Sequence, residues 1–184
     1  HMGNAIALLN DLTVGTILLN CGSYNELEQE LITVLKNKKI PYASCLRELN
    51  LKNHRLLFLN HKIYDNENDN SSVIYTKIDD KTFLFMGDAS VDVEEDLMAK
   101  YNLQEVDVLK VGHHGSKTSS GKSFIDAITP KHSIISVGKN NRYGHPHNSA
   151  LDILDNSNVY RTDLDGSIMF TFKSNQLEVN TCAP

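Results

Sequence analysis

An α/β domain is predicted by two patterns in this sequence. Apolar runs of strand length alternate with helical segments, and successive runs end in side chains of metal-binding type. The runs at 83–86, 108–111 and 134–137 each close on a glycine. They are followed in turn by Asp88, by the pair His113-His114, and by His145-Pro146-His147. Loops at the carboxyl ends of strands open onto a crevice in such folds, so these side chains point to a site.

Size and composition fit one such domain. At 184 residues and 40% apolar side chains, the chain can build a single good core and reads as soluble and globular. No apolar run approaches the ~18–20 residues of a membrane span, and the start does not resemble a signal peptide. Lys and Arg number 18 against 23 Asp and Glu, a net charge of −5, so no global field draws nucleic acid. Bound phosphates would need local cations or a metal. Cys21, Cys45 and Cys182 are odd in number and widely spaced, which predicts buried or free thiols rather than a disulfide framework or a thiolate metal site.

The elements follow in order. Residues 5–12 suit a short helix and 15–19 a strand. Ser23 and Glu26 have capping-box spacing at the head of a helix reaching Lys38. Its Leu27, Leu31, Val34 and Leu35 predict one buried stripe. From Pro41 the pattern is poor until a strand at 55–63, and the polar stretch 65–70 is a loop. Strands at 73–78 and 82–86 form a hairpin through Asp79-Asp80-Lys81. A helix at 91–101, a strand at 106–111 and a helix at 124–128 stopped by Pro130 come next. A strand at 133–137 and a short helix at 149–154 follow. Strands at 159–162 and 167–172 close around the Asp165-Gly166 turn. No repeat, linker or boundary divides residues 1–184.

Chemistry concentrates at the strand ends. Asp88 suits either a helix N-cap or a metal ligand, and the nearby histidines favour the ligand. Adjacent residues in extended geometry diverge, so one imidazole of His113-His114 is expected to bind metal while the other orients a ligand or meets substrate. Ser116, Lys117, Thr118, Ser119 and Ser120 suit phosphate contacts. His145 and His147 fall on one side of a short extended segment, fitting a shared metal or one ligand plus a proton donor. Lys139, Asn140, Asn141 and Arg142 just before them suit a phosphodiester. His54, His61 and His132 lack supporting motifs and are taken as structural or exposed.

Together, Phe85-Met86-Gly87-Asp88, the run from Asp107 through Gly112-His113-His114-Gly115-Ser116-Lys117-Thr118-Ser119, and the run from Ile134 through Asn141-Arg142-Tyr143-Gly144-His145-Pro146-His147 resemble the metallo-β-lactamase-like domain. The resemblance is to the version at the C-terminus of DNA-internalization competence proteins, the ComEC family. It covers most of the chain from about Asn68 and extends to the ending 159–168.

The resemblance implies an αββα sandwich, incomplete at the N-terminus, binding one or two divalent ions, Mn²⁺ or Zn²⁺. It implies metal ligation by Asp88 and His114, catalytic roles for His145, His147 and His113, and substrate contacts from Ser116, Lys117, Thr118, Ser119, Asn141, Arg142 and Tyr143. The implied activity is that of a metal-dependent hydrolase, a DNA phosphodiesterase or nuclease of a competence DNA-uptake protein. The implied setting is the outer face of a bacterial cell membrane, reached through a further N-terminal region. Its partners would be DNA, single-stranded or the strand that is not imported, and other competence proteins.

The sequence departs from the family in one respect. The main motif, His-x-His/Asp-x-Asp-His, is absent, and Gly3-Asn4 stand where its end would be, with His1 in the place of its last histidine. An asparagine of Asn68-Asp69-Asn70-Ser71 is expected in place of the middle histidine ligand. With those donors missing, weak metal binding and an inactive fragment are expected. Two other readings stay open: a small-molecule phosphodiesterase of the same superfamily, and a catalytically silent domain that binds nucleic acid or serves a channel.

Overall fold

The protein is described by a computed structural model covering residues 3–174 and 176–183. His1, which the family resemblance singled out, lies outside the described residues.

A seven-stranded sheet organises the chain. β3 (Glu48–Leu51), β4 (His54–Phe58), β5 (Ile74–Ile78) and β6 (Lys81–Phe85) form an antiparallel meander. β7 (Val108–Lys110), β8 (His132–Ile135) and β9 (Asn158–Arg161) extend it in parallel. Parallel neighbours need crossovers, which run through α3 (Val91–Lys100), α4 (Lys122–Ile128) and α5 (Asn148–Ile153). The ends of β6, β7 and β8 therefore share one edge, and the loops bearing Asp88, His113-His114 and His145 emerge there together.

Alternation along the strands sets the layers. Leu84, Leu109 and Ile135 are buried in one core with Val93 and Leu97 of α3 and Phe124 and Ile128 of α4. On the other face, Phe83 meets Phe172 at 6.3 Å between ring centroids, and His132 lies 5.9 and 5.7 Å from the rings of Tyr160 and Phe170. That face is covered by an antiparallel pair, β10 (Ser167–Lys173) and β11 (Gln176–Cys182). A second apolar cluster, with Leu9, Leu19, Leu31, Ile32 and Leu35, joins α1 (Ala5–Asp11), β1 (Ile17–Leu19) and α2 (Glu26–Lys38); β1 pairs in parallel with β2 (Tyr42–Ser44).

Several expectations are corrected. The α2 cap is Asn25, not Ser23. Glu28 N–H donates to Asn25 Oδ1 at 3.0 Å and Asn25 N–H to Glu28 Oε2 at 2.9 Å, the same spacing two residues later. The buried stripe becomes Glu28, Leu31, Ile32 and Leu35, leaving Leu27 exposed. β2 and β3 fall in the stretch that had no clear pattern. β9 and β10 are not a hairpin: β9 pairs with β8, and β10 with β11.

The cysteines are the sharpest correction. Cys21 and Cys45 form a disulfide, while Cys182 is an exposed thiol. Parity discounted the bond, but it is made by β1–β2 pairing, which sets Leu19 beside Ser44 and bonds Cys45 N–H to the Leu19 carbonyl.

Candidate functional site

Backbone geometry at the end of β7 builds the site. His113 (φ 44°) and His114 (φ 56°) are both left-handed, followed by Gly115 at φ 76°. Non-glycine residues held there are strained by about 1–3 kcal/mol each and depend on surrounding bonds. Those bonds run from His113 N–H to the Gly87 carbonyl, Ser116 N–H to the His113 carbonyl and His147 N–H to the Gly115 carbonyl, each 2.9 Å. The turn thus tightens into a 3₁₀-like coil instead of the extended segment expected. It does not send the two imidazoles to separate places: His113 and His114 line one pocket of about 230 Å³ with Asp88, Tyr143 and His145.

Within that pocket His114 Nδ1 lies 2.6 Å from the Ser136 carbonyl oxygen, which can only accept. The Nδ1 proton is committed there, so in the neutral tautomer the lone pair falls on Nε2. Nε2 sits 3.9 Å from Asp88 Oδ1. The His145 ring lies 5.7 Å from His113 and 6.3 Å from His114, and His147 lies 5.2 Å behind it. Burial first, then neighbouring His147, His113 and His114, hold the His145 pKa below its ordinary value, against the pull of Asp88. Lys110 Nζ donates to the Val111 carbonyl at 3.1 Å, and burial lowers its pKa while Asp88 opposes the shift.

Asp88 is held from behind. Its N–H donates to Ser71 Oγ at 2.9 Å, and Gly87 adopts φ 61° where a Cβ would stand 2.7 Å from Ser71 Cβ. Ser90, the N-cap residue of α3, makes no capping bond with its side chain, and its N–H donates to Asp69 Oδ1 at 2.9 Å. Asn60 Nδ2 reaches the carbonyls of Asp69 and Ser71 at 2.7 and 3.0 Å. Sequence reasoning missed Ser71, Asp69 and Asn60 as supports; only the polar loop 65–70 hinted at them. Asn70 does not take a ligand's place, because Tyr64 occupies its amide: Oδ1 accepts from Tyr64 N–H at 2.9 Å and Nδ2 donates to the Tyr64 carbonyl at 3.0 Å.

The hydroxyl set divides. Ser119 is buried and donates to the Gly112 carbonyl at 2.9 Å, and buried Ser116 bonds Thr118 Oγ1 at 3.0 Å. Ser116 and Ser119 therefore hold the turn, leaving Lys117 and Thr118 exposed beside it. Ser120 and Gly121 donate through their backbone N–H groups to buried Glu94, each at 2.7 Å. Asn141 bridges its own loop, while Arg142 and Tyr143 are exposed.

The donors suit a divalent cation in kind: a carboxylate and an imidazole whose second nitrogen is fixed by a carbonyl, as metal-binding histidines usually are. Among the described residues no group of three or more His, Cys, Asp or Glu is arranged to hold a metal. Asp88 and His114, 3.9 Å apart between Oδ1 and Nε2, are a carboxylate and an imidazole facing one pocket. A cleft of about 350 Å³ leads from Asp88 past Asn68, Ser71 and Ser72 to Asn20 and Ser23.

A model of the metallo-beta-lactamase superfamily matches residues 48–139, from β3 through the loop after β8. The chain is 33% identical over 181 residues to ComE operon protein 3 of Bacillus subtilis (strain 168), covering 95% of this chain and 23% of that protein. It is 35% identical over 115 residues to Recombination protein 2 of Haemophilus influenzae, covering 61% of this chain and 14% of that one. Over 108 residues it is 35% identical to Competence protein ComA of Neisseria gonorrhoeae, covering 56% and 16%. The chain thus spans less than a quarter of the length of these relatives.

Proposed function

The chain belongs to the metallo-β-lactamase superfamily, and from that membership we propose that it is a metal-dependent phosphodiesterase cleaving DNA within a competence DNA-uptake protein. The observation that carries this reading is the 3.9 Å approach of His114 Nε2 to Asp88 in a pocket shared with His113 and His145.

Asp88 and His114 would hold a divalent ion, Mn²⁺ or Zn²⁺, which when bound supplies Lewis acidity and positive charge toward a phosphoryl group. Ser71 fixes the backbone of Asp88, and the Ser136 carbonyl fixes the His114 ring. His145, facing the same pocket as Asp88 and His114, is placed to pass a proton to the leaving oxygen. His147 packs behind His145, and His113 meets the substrate beside it. Exposed Lys117 and Arg142 draw the phosphodiester against the overall negative charge.

The Cys21–Cys45 bond supports placement on the outer face of a bacterial membrane, since such bonds persist in oxidising compartments. Among the described residues no helix is long and apolar enough to cross a membrane. The printed name of one relative, Competence protein ComA, supports a competence setting. Single-stranded DNA or the strand not imported as substrate, and other competence proteins as partners, are part of the proposal.

The test is hydrolysis of labelled single- and double-stranded DNA and of bis(p-nitrophenyl) phosphate, with Mn²⁺ or Zn²⁺ added. Cation-dependent DNA cleavage lost in Asp88→Ala supports the reading. Cleavage of the small diester alone moves the substrate class. The two-donor set favours one second reading, a silent nucleic-acid-binding domain, which DNA binding without cleavage of either substrate would select.

A further inference from the structure

Tyr143 stands between two depressions. One is the pocket with Asp88, His113, His114 and His145; the other, about 160 Å³, is lined by Val137, Gly138, Asn141, His114, His145 and Tyr143. Tyr143 is 62% exposed, far more than an aromatic placed for packing needs. It continues a column of rings: His145 lies 5.8 Å away at 27°, and His145 lies 6.3 Å from His114 at 21°. The Arg142 guanidinium carbon sits 4.8 Å from the Tyr143 centroid, and its Nη2 donates to the Tyr143 hydroxyl at 2.6 Å.

The second depression presents flat surfaces and little to read. At Gly138 nothing lies within 4 Å of where a Cβ would stand. The Asn141 amide is committed, with Nδ2 donating to the carbonyls of Gly138 and His145 at 3.1 and 2.7 Å, and Oδ1 accepting from His145 N–H at 3.0 Å. A group seated there is held by its face rather than by its edge.

From this arrangement we propose that Tyr143 is a stacking wall for an unpaired nucleobase flanking the phosphodiester bound at Asp88 and His114. The proposal rests on the reading that the ligand is nucleic acid, and it adds two properties. Recognition is tolerant of base identity, because every base has a π-face and Asn141 offers no edge contact. It also favours single strands, because bases stacked in a duplex do not offer a face. Arg142 lies over the same ring, so a seated base displaces or shares that face with a guanidinium that is then available to an adjoining phosphate.

The experiment is fluorescence anisotropy at low salt with a labelled oligothymidylate and the same strand bearing abasic residues, on wild type, Tyr143→Ala and Tyr143→Phe. Circular-dichroism melting checks that the exposed substitution leaves the fold intact. Wild type is expected to bind the base-bearing strand about tenfold more tightly than the abasic one. Tyr143→Ala should bind both alike, and Tyr143→Phe should keep the preference. An undiminished preference in Tyr143→Ala overturns the proposal. Equal binding of both strands by wild type overturns it while leaving a nucleic-acid ligand in place. Binding of neither removes the nucleic-acid reading and the stacking wall with it.

Discussion

The imidazole of His114, carried on the turn after β7, is oriented by the Ser136 carbonyl just beyond β8, 2.6 Å from Nδ1. Parallel pairing of the two strands, with Lys110 opposite Ile134, brings that carbonyl into reach. The ring's second nitrogen is thereby turned toward Asp88 at the end of β6. Three neighbouring strands thus cooperate in placing one carboxylate–imidazole pair, which no one of their loops could fix alone.

Gly115→Ala should destabilise the protein by roughly 2 kcal/mol or more. Its φ of 76° disfavours any side chain, and a Cβ would stand 2.6 Å from Pro146 Cβ. Gly138→Ala is the control, because nothing lies within 4 Å of its Cβ position. Urea unfolding should separate the two clearly; equal midpoints would contradict the packing of Pro146 against the turn.

Glu94 gives the stability a pH dependence. Burial raises its pKa from 4.5 to about 7, against the Gly121 and Ser120 N–H bonds, with Glu95 adding slightly. The folded protein therefore binds this proton more tightly than the unfolded chain. The associated stability is complete below about 4.5 and lost as pH rises through about 7. A shift of that size corresponds to roughly 3 kcal/mol, to order of magnitude. Glu94→Gln should flatten the difference between unfolding free energies at acid and neutral pH; an unchanged slope would show that Glu94 does not titrate in this window.

Thiol counting tests the covalent link. The native protein should show one reactive thiol, Cys182, and three after reduction under denaturing conditions. Breaking the Cys21–Cys45 bond, which spans a separation of 24 residues, should cost about 3 kcal/mol. Three reactive thiols without reductant would contradict it.

What was legible in the sequence was whatever depended on local pattern. The apolar runs of β6, β7 and β8 and the glycines after them showed where the loops begin, and so which residues meet at the edge. Pairings across distance were less visible. Cys21 and Cys45 meet only because β1 lies beside β2, short strands without a period-two signal. β10 pairs with β11 rather than β9, although the Asp165-Gly166 turn suggested otherwise. Ser116 and Ser119 looked like phosphate contacts because a hydroxyl's partner cannot be read from its neighbours; they bond to each other's turn instead. Ser136 acts through its carbonyl, which no residue type encodes.

The most direct test of the account is Mn²⁺ titration followed by electron paramagnetic resonance, on wild type, Asp88→Ala, His114→Ala and Gly138→Ala. The account predicts saturable Mn²⁺ binding in wild type and Gly138→Ala that is lost or at least tenfold weaker in Asp88→Ala and His114→Ala. Titration curves that superimpose across all four proteins would contradict the assignment of Asp88 and His114 as a metal-binding pair.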